Sequence, residues 1–215
     1  MKPYKLLIPF LFFLLFFRNS TANEFEGNLI ITEETFYDTT YYYFSVRNNL
    51  VRMDQKNSQK QIIQSLIIDL DQEKITALSP NHKLYTNIQT NNKSFFNKNE
   101  IVVMPTHNFK IINGYKCYLW RVRNEPMNSE VSYWIYDSGY SFFDKTIALL
   151  SGTEDYSNLF KAYIQINNTC GLPILSVERT LLREEKSKIT VTNFTGRKVN
   201  PKLFEIPEGY KYLRY

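Results

Sequence analysis

Histidine, cysteine and glycine are all scarce in this 215-residue chain, and each scarcity narrows the chemistry open to it. The two histidines, His82 and His107, have no His, Cys or acidic partner at metal-ligand spacing, so no metal site is expected. The two cysteines, Cys117 and Cys170, have no histidine near them in sequence, which argues against a cysteine nucleophile. With seven glycines, the chain has no phosphate-cradling loop, no dinucleotide fingerprint and no G-x-S-x-G elbow. Asp69 and Asp71 would face the same way on a strand, but no third acid follows at calcium-loop spacing, so they read as a charged strand end. No cofactor is expected. A non-enzyme is the reading these gaps favour, although a catalytic triad is set by geometry and leaves no obligatory motif.

Long apolar runs are absent except at the start. Lys2 and Lys5 precede the unbroken run Leu6–Phe17, and Ser20-Thr21-Ala22 supplies small residues for cleavage, so residues 1–22 read as a secretory signal peptide. The competing reading, a membrane anchor, needs roughly 20 apolar residues. No Cys stands at the cleavage point to carry a lipid, and no later stretch could span a bilayer. The expected location is therefore outside the cytoplasm, periplasmic or extracellular. Lys2, Lys5 and Arg18 leave with the signal and no acid does, so 26 basic residues become 23 against an unchanged 21, a charge near +2. A nearly neutral chain with scattered lysines gives no sign of nucleic-acid binding. Residues 23–215 suffice for one domain with a substantial core. In an exported chain the two cysteines suggest a Cys117–Cys170 disulfide, closing a loop of about 54 residues and worth about 4 kcal/mol if unstrained; two buried free thiols are the alternative.

Aromatic residues are abundant, with 16 Tyr and 16 Phe. Their density, with many β-branched residues, favours sheet. The strongest local signal is Asn113-Gly114, a two-residue hairpin turn between apolar arms. The arms Phe109–Ile112, Tyr115–Val122 and Val131–Tyr136 read as a meander, expected at the centre of the sheet and holding both tryptophans. Before it, strands are expected over roughly 25–33 and 39–47, from Leu50 to Met53, over Ile62–Leu70 (where a helix competes), and in a hairpin of Lys74–Leu78 with Lys83–Ile88. Gln89–Glu100 is polar, a loop or lid, and Ile101–Met104 could pair briefly before Pro105. Asp144–Leu150 predicts a helix ending at Gly152, and Tyr156, Leu159, Phe160 and Tyr163 share one face of a second. Strands then return over Leu172–Leu182 and Lys188–Phe194, and Phe204, Ile206 and Tyr210 of the tail are expected to plug one end of the core. Asn92, Asn167 and Asn193 begin N-glycosylation patterns, which matter only in a eukaryotic source.

The candidate site is hydrophobic: Tyr118, Trp120, Tyr133, Trp134, Phe142 and Phe143 could line an apolar cavity in a curved sheet. A filled core is the competing reading. Alternation sets a limit, because Tyr118 and Trp120 share one face while Cys117 and Leu119 share the other.

Several phrases, in order, resemble a family of secreted bacterial proteins of unknown function, common in Bacteroidetes-type bacteria. They are Gly27, Val51-Arg52-Met53-Asp54, Ile67-Ile68-Asp69-Leu70-Asp71 with Lys83-Leu84-Tyr85, Ile112-Asn113-Gly114-Tyr115-Lys116-Cys117, Glu130–Ile135 and Phe204–Lys211. That family looks related to the lipoprotein-carrier (LolA/LolB-like) superfamily. The resemblance implies a mainly β (α+β) fold: a strongly curved antiparallel sheet, an unclosed barrel, with a helical insertion over its open side. It also implies a non-catalytic binding module for a hydrophobic ligand such as a lipid or lipoprotein acyl chain. The alternative is a structural or protein-interaction module of the cell envelope with a filled core, partnered by an envelope protein.

Overall fold

A computed structural model describes residues 25–90, 100–153, 163, 166 and 171–214. The signal segment, most of the polar stretch 89–100, most of the second helix, Cys170 and the Asn92 and Asn167 sequons lie outside the described residues. The described residues form one mixed sheet of twelve strands, in the order β12-β6-β5-β4-β3-β2-β1-β11-β10-β9-β8-β7. The strands are β1 (Gly27–Thr35), β2 (Thr39–Arg47), β3 (Leu50–Lys56), β4 (Ile62–Asp69), β5 (Lys74–Ser79), β6 (Leu84–Ile88), β7 (Ile101–Ile112), β8 (Tyr115–Asn124), β9 (Ser129–Asp137), β10 (Gly171–Arg179), β11 (Glu185–Gly196) and β12 (Lys211–Tyr212). The helix α1 (Phe142–Ser151) follows β9. All pairings are antiparallel except the short β12–β6 pair.

The alternating sequence explains the core. Leu29 and Ile31 on β1, Phe44 and Val46 on β2, Val51 and Met53 on β3, and Leu66 and Ile68 on β4 are all buried. Cross-strand partners share a face, and the register places Leu29 opposite Phe44, Phe44 opposite Met53 and Met53 opposite Leu66. Ile62–Asp69 resolves as strand, its β-branched residues fitting a pleated surface. The Asn113-Gly114 turn forms as expected, with φ of 51° and 83°. Asp69 caps the β4–β5 turn, its Oδ1 accepting from the backbone N–H of Asp71 and Gln72, while Asn49 donates to Asp71.

The sheet is curled but open. Strands β8 and β11 stand three spacings apart, roughly 14 Å in a flat sheet. Yet Asn113 Nδ2 donates to the Val191 carbonyl at 3.1 Å and the Tyr115 hydroxyl donates to that of Phe194 at 3.3 Å. The register of β10 with β11 stops at Leu175–Thr190, and the β7–β8 turn arches onto the β11 stretch beyond it.

Three expectations need correction. The meander β7–β8–β9 is at one end of the sheet, because β11 returns to pair with β1 and takes the central place. Strand β7 does not stop at Pro105: it runs twelve residues as an edge strand, where a missing N–H is tolerated. A bulge at Thr106–Asn108 absorbs the register shift, with Thr106 Oγ1 donating to the Leu119 carbonyl at 2.8 Å. Phe204, Ile206 and Tyr210 do not plug the core; no residue of the short 3-10 helix Pro201–Phe204 is buried, and Ile206 is exposed.

Instead the tail is an external strap. It leaves β11 with Arg197 N–H donating to the Glu26 carbonyl and Val199 N–H to the Glu26 carboxylate. Over β3, Arg52 holds the Leu203 carbonyl at 3.0 Å while pairing with Asp54 at 3.0 Å. It ends on β6, with Leu213 N–H donating to the Tyr85 carbonyl and Tyr212 against the Tyr85 ring.

Gly27 stands opposite Gly196 where a Cβ would collide with the Thr195 carbonyl oxygen and the Phe25 ring. Gly27→Ala is expected to destabilise the fold by about 1–3 kcal/mol in urea unfolding, because the colliding backbone oxygen cannot rotate away. At Gly196 the nearest atom to an added Cβ is the Glu26 oxygen at 3.8 Å, so Gly196→Ala should leave the midpoint unchanged or raise it, by about 1 kcal/mol at most.

Candidate functional site

The six aromatic candidates come from β8, β9 and α1. On β8 and β9, Tyr118 stands opposite Ile135, Trp120 opposite Tyr133 and Val122 opposite Val131, so these six residues share one face. From β7, Phe109 stands opposite Tyr118 and Pro105 opposite Trp120. Along this face exposure falls toward the core. Phe109 is 57% and Tyr118 39% exposed, Trp120 is half-buried, and Tyr133 is 2% exposed. The Phe109 and Tyr118 rings meet at 6.3 Å. Tyr133 packs edge-on against Tyr163 at 5.7 Å, and Tyr163 packs edge-on against Phe143 of α1 at 5.8 Å. The Tyr163 hydroxyl lies 2.7 Å from both Asp144 Oδ1 and the Gly171 carbonyl oxygen, which ties the ring between α1 and β10.

Phe142, the neighbour of Phe143 on α1, enters a second aromatic group: it stacks on Phe25 at 5.0 Å, and Phe25 stacks on Phe194 at 4.7 Å. Helix α1 thus joins the two groups through adjacent side chains. It buries Phe142, Phe143, Thr146, Ile147 and Leu150, and Thr146 Oγ1 returns its hydrogen bond to the Phe142 carbonyl at 2.7 Å.

Trp134 does not join this set. It stands opposite Leu119, on the other face with Cys117, and Lys110 Nζ sits 4.1 Å over its ring. The period of two in a strand forces this split: Tyr133 and Trp134 are neighbours and must point apart. Both faces of this arm are covered, since Cys117 and Leu119 are buried as fully as Tyr133 and Ile135. The sequence does not reveal that double burial, because an apolar run with no polar face reads the same in a helix or a covered strand.

The exposed end of the row carries positive charge. Lys116 Nζ stands 4.5 Å over the Phe109 ring and 5.2 Å over that of Tyr118, close enough for cation–π attraction. His107 is exposed in the β7 bulge, and His82 pairs through Nδ1 with Ser79 Oγ at 2.9 Å in the β5–β6 turn. That turn borders a cleft of about 320 Å³ lined by Ile63, Leu78, Leu84, Tyr85 and Leu213 among others. Among the described residues, no three of His, Cys, Asp and Glu converge as a metal site, and no helix is long and apolar enough to cross a membrane.

A family model described as "Domain of unknown function (DUF4412)" matches residues 25–210. Among curated proteins nothing matches. Among solved structures, the fold is similar to that of an uncharacterized conserved protein from Thermus thermophilus, with 7% identity, 87% of this chain and 89% of that one covered, and a TM-score of 0.52. PNGF-II matches with 10% identity over 86% of this chain and 30% of that one, at a TM-score of 0.44. A DUF1329 family protein from Desulfovibrio piger matches with 9% identity over 86% and 91%, at a TM-score of 0.35.

Cys117 is a free thiol in the structure, its expected partner Cys170 lying outside the described residues; it is buried on the Trp134 face, with Sγ donating to the Tyr115 carbonyl at 3.4 Å. Burial pushes it up to about 11, against smaller opposing effects of the Lys110 charge and the Ile112 backbone. In the unfolded chain the thiol ionises near 9, so between pH 9 and pH 11 the unfolded state has lost a proton that the folded state keeps. Stability tied to this group is complete below pH 9 and falls as pH rises through that window, by about 1 kcal/mol at pH 10. Urea titrations at pH 7 and pH 10 should show a smaller alkaline loss in Cys117→Ala than in the parent, and alkylation of Cys117 at pH 8 should require denaturant.

Proposed function

The chain belongs to the DUF4412 family, and on that footing we propose that it is an exported, non-catalytic binding module for an amphiphile with an acyl chain. The observation that carries this reading is the graded aromatic row. Phe109 and Tyr118 begin it in solvent, Trp120 continues it half-buried, and Tyr133 ends it in the core beside Tyr163 and α1. A ligand entering along this row would exchange water for apolar contact at each step, which is the driving force for binding an acyl chain. Lys116, over the outermost two rings, supplies a cation for an anionic headgroup. The kinship to lipoprotein carriers implied by the sequence phrases points the same way and is part of this proposal, as are removal of residues 1–22 and a location in the periplasm or outside the cell.

A second reading draws on the open edge. Phe109 and Ile111 are exposed on β7, the last strand at that end of the sheet, and an envelope protein could cover them. It expects no lipid uptake.

The two tryptophans on opposite faces decide between them. A fatty acid brominated along its chain quenches only a nearby indole. Trp134→Phe leaves Trp120 as the sole tryptophan and should lose most of its fluorescence on titration. Trp120→Phe leaves Trp134 and should lose little. No quenching in either variant, or equal quenching in both, would overturn the acyl-chain reading, and detergent-free native mass spectrometry of the protein from its own cells would confirm which ligand it carries.

A further inference from the structure

Five turns crowd one end of the sheet: residues 36–38, 57–61, 80–83, 125–128 and 180–184. Three of them belong to adjacent hairpins, β1–β2, β11–β10 and β9–β8. Each carries a large apolar side chain turned out to water. Phe36 is 89% and Tyr37 92% exposed on the first, Leu182 is 83% exposed on the second, and Met127 is 54% exposed on the third. Neighbouring tips stand about two strand spacings apart, roughly 10 Å. The turns at the opposite end, Asn48-Asn49, residues 70–73 and Asn113-Gly114, expose no large apolar residue, since Leu70 is buried. Among the described turns, exposed large apolar side chains are thus confined to three neighbours at one end.

The backbones of these tips are pinned by hydrogen bonds. Thr35 Oγ1 accepts from the backbone N–H of Tyr37 and Asp38 and donates to the Asp38 carbonyl, fixing the first turn. The Phe36 and Tyr37 rings stand edge-on at 5.3 Å. The other two turns are tied together: Leu181 N–H donates to Asn128 Oδ1 at 3.1 Å, and Arg183 pairs with Glu130 at 2.8 Å. Several charges at this end are paired in place, with Lys188 on Glu34, Lys186 on Glu178, Arg179 on Glu185 and Arg123 on Glu125, while Lys56 and Lys60 lie over the Tyr43 and Tyr41 rings.

We propose that this end docks on the surface of a lipid bilayer by inserting Phe36, Tyr37 and Leu182, with Met127 at the rim. Separate apolar tips divided by ion pairs suit a fluid interface, where acyl chains fill in around each tip and headgroups meet the charges between them. A protein partner with fixed pockets would instead favour one contiguous apolar patch. Because five acid–base pairs offset one another around the tips, attraction is to the bilayer interface itself and does not depend on anionic lipid. The inference stands on other residues than the acyl-chain reading and holds or fails without it.

The test is flotation with vesicles of pure phosphatidylcholine, using protein from cells that process it, its mass confirming loss of residues 1–22. The parent should float with the vesicles, and binding should change less than about twofold between low and high salt. The triple variant Phe36→Ser, Tyr37→Ser, Leu182→Ser should bind at least about tenfold more weakly with an unchanged thermal midpoint. Ile111→Ser, an exposed apolar residue near the opposite end, should bind like the parent. A parent that stays with the soluble fraction, a triple variant that floats as well as the parent, or binding that appears only with anionic lipid would overturn the proposal.

Discussion

Everything in this fold depends on the pairing of its first strand with its last long one. Strands β1 and β11 pair from Gly27–Gly196 to Thr35–Ser187, with one bulge at Thr192 where the register shifts between Ile30 and Ile31. Those contacts join residues more than 150 positions apart, the costliest kind of closure in conformational entropy. Their return is the continuous core: without β11 beside β1, the β1–β6 arm and the β7–β10 arm would be separate sheets, each with an exposed edge. The joint is so close that Gly27 can carry no side chain. Beyond the joint, the strap follows from the end of β11 across the outer face to the far edge.

The sequence was most informative where structure is local. Asn113-Gly114, the alternation of Leu29 and Ile31 or Phe44 and Val46, and the helix-forming run before Gly152 each act within a few residues, and each gave the element found. It was least informative about order. The density of aromatics in the meander suggested a central place, but an edge arm covered on both faces needs as many apolar residues as a central one. Pro105 argued for a break, yet an edge strand with a bulge accommodates it. The tail residues Phe204 and Ile206 looked like core because they are apolar; what holds the strap is mostly backbone hydrogen bonding to Glu26, Arg52 and Tyr85, which side-chain patterns do not encode.

The candidate site shows the same division. Alternation was enough to warn that Tyr118 and Trp120 oppose Cys117 and Leu119. Only the register could show that Tyr133 stands with Trp120 while Trp134 stands with Cys117. The lysines over the rings, Lys110 and Lys116, were invisible as site residues, since cation–π contacts follow from cross-strand placement and leave no spacing in the chain. Helix α1 ties the arm to the joint, with Phe143 reaching the Tyr133 side through Tyr163 and Phe142 reaching Phe25 beside Gly27.

The β1–β11 pairing also sets an order of events during synthesis. A chain emerging N-terminus first, from the ribosome or from an export channel, can pair β1 with β2 at once, but the other edge of β1 waits for roughly 150 further residues. Throughout that interval a nine-residue strand with Leu29, Ile30 and Ile31 at its middle offers unmatched N–H and C=O groups to any extended neighbour. A product cut short before Glu185 would keep that edge open permanently. Early termination would thus yield a sticky fragment, and β1 has both neighbours only once the chain reaches Gly196.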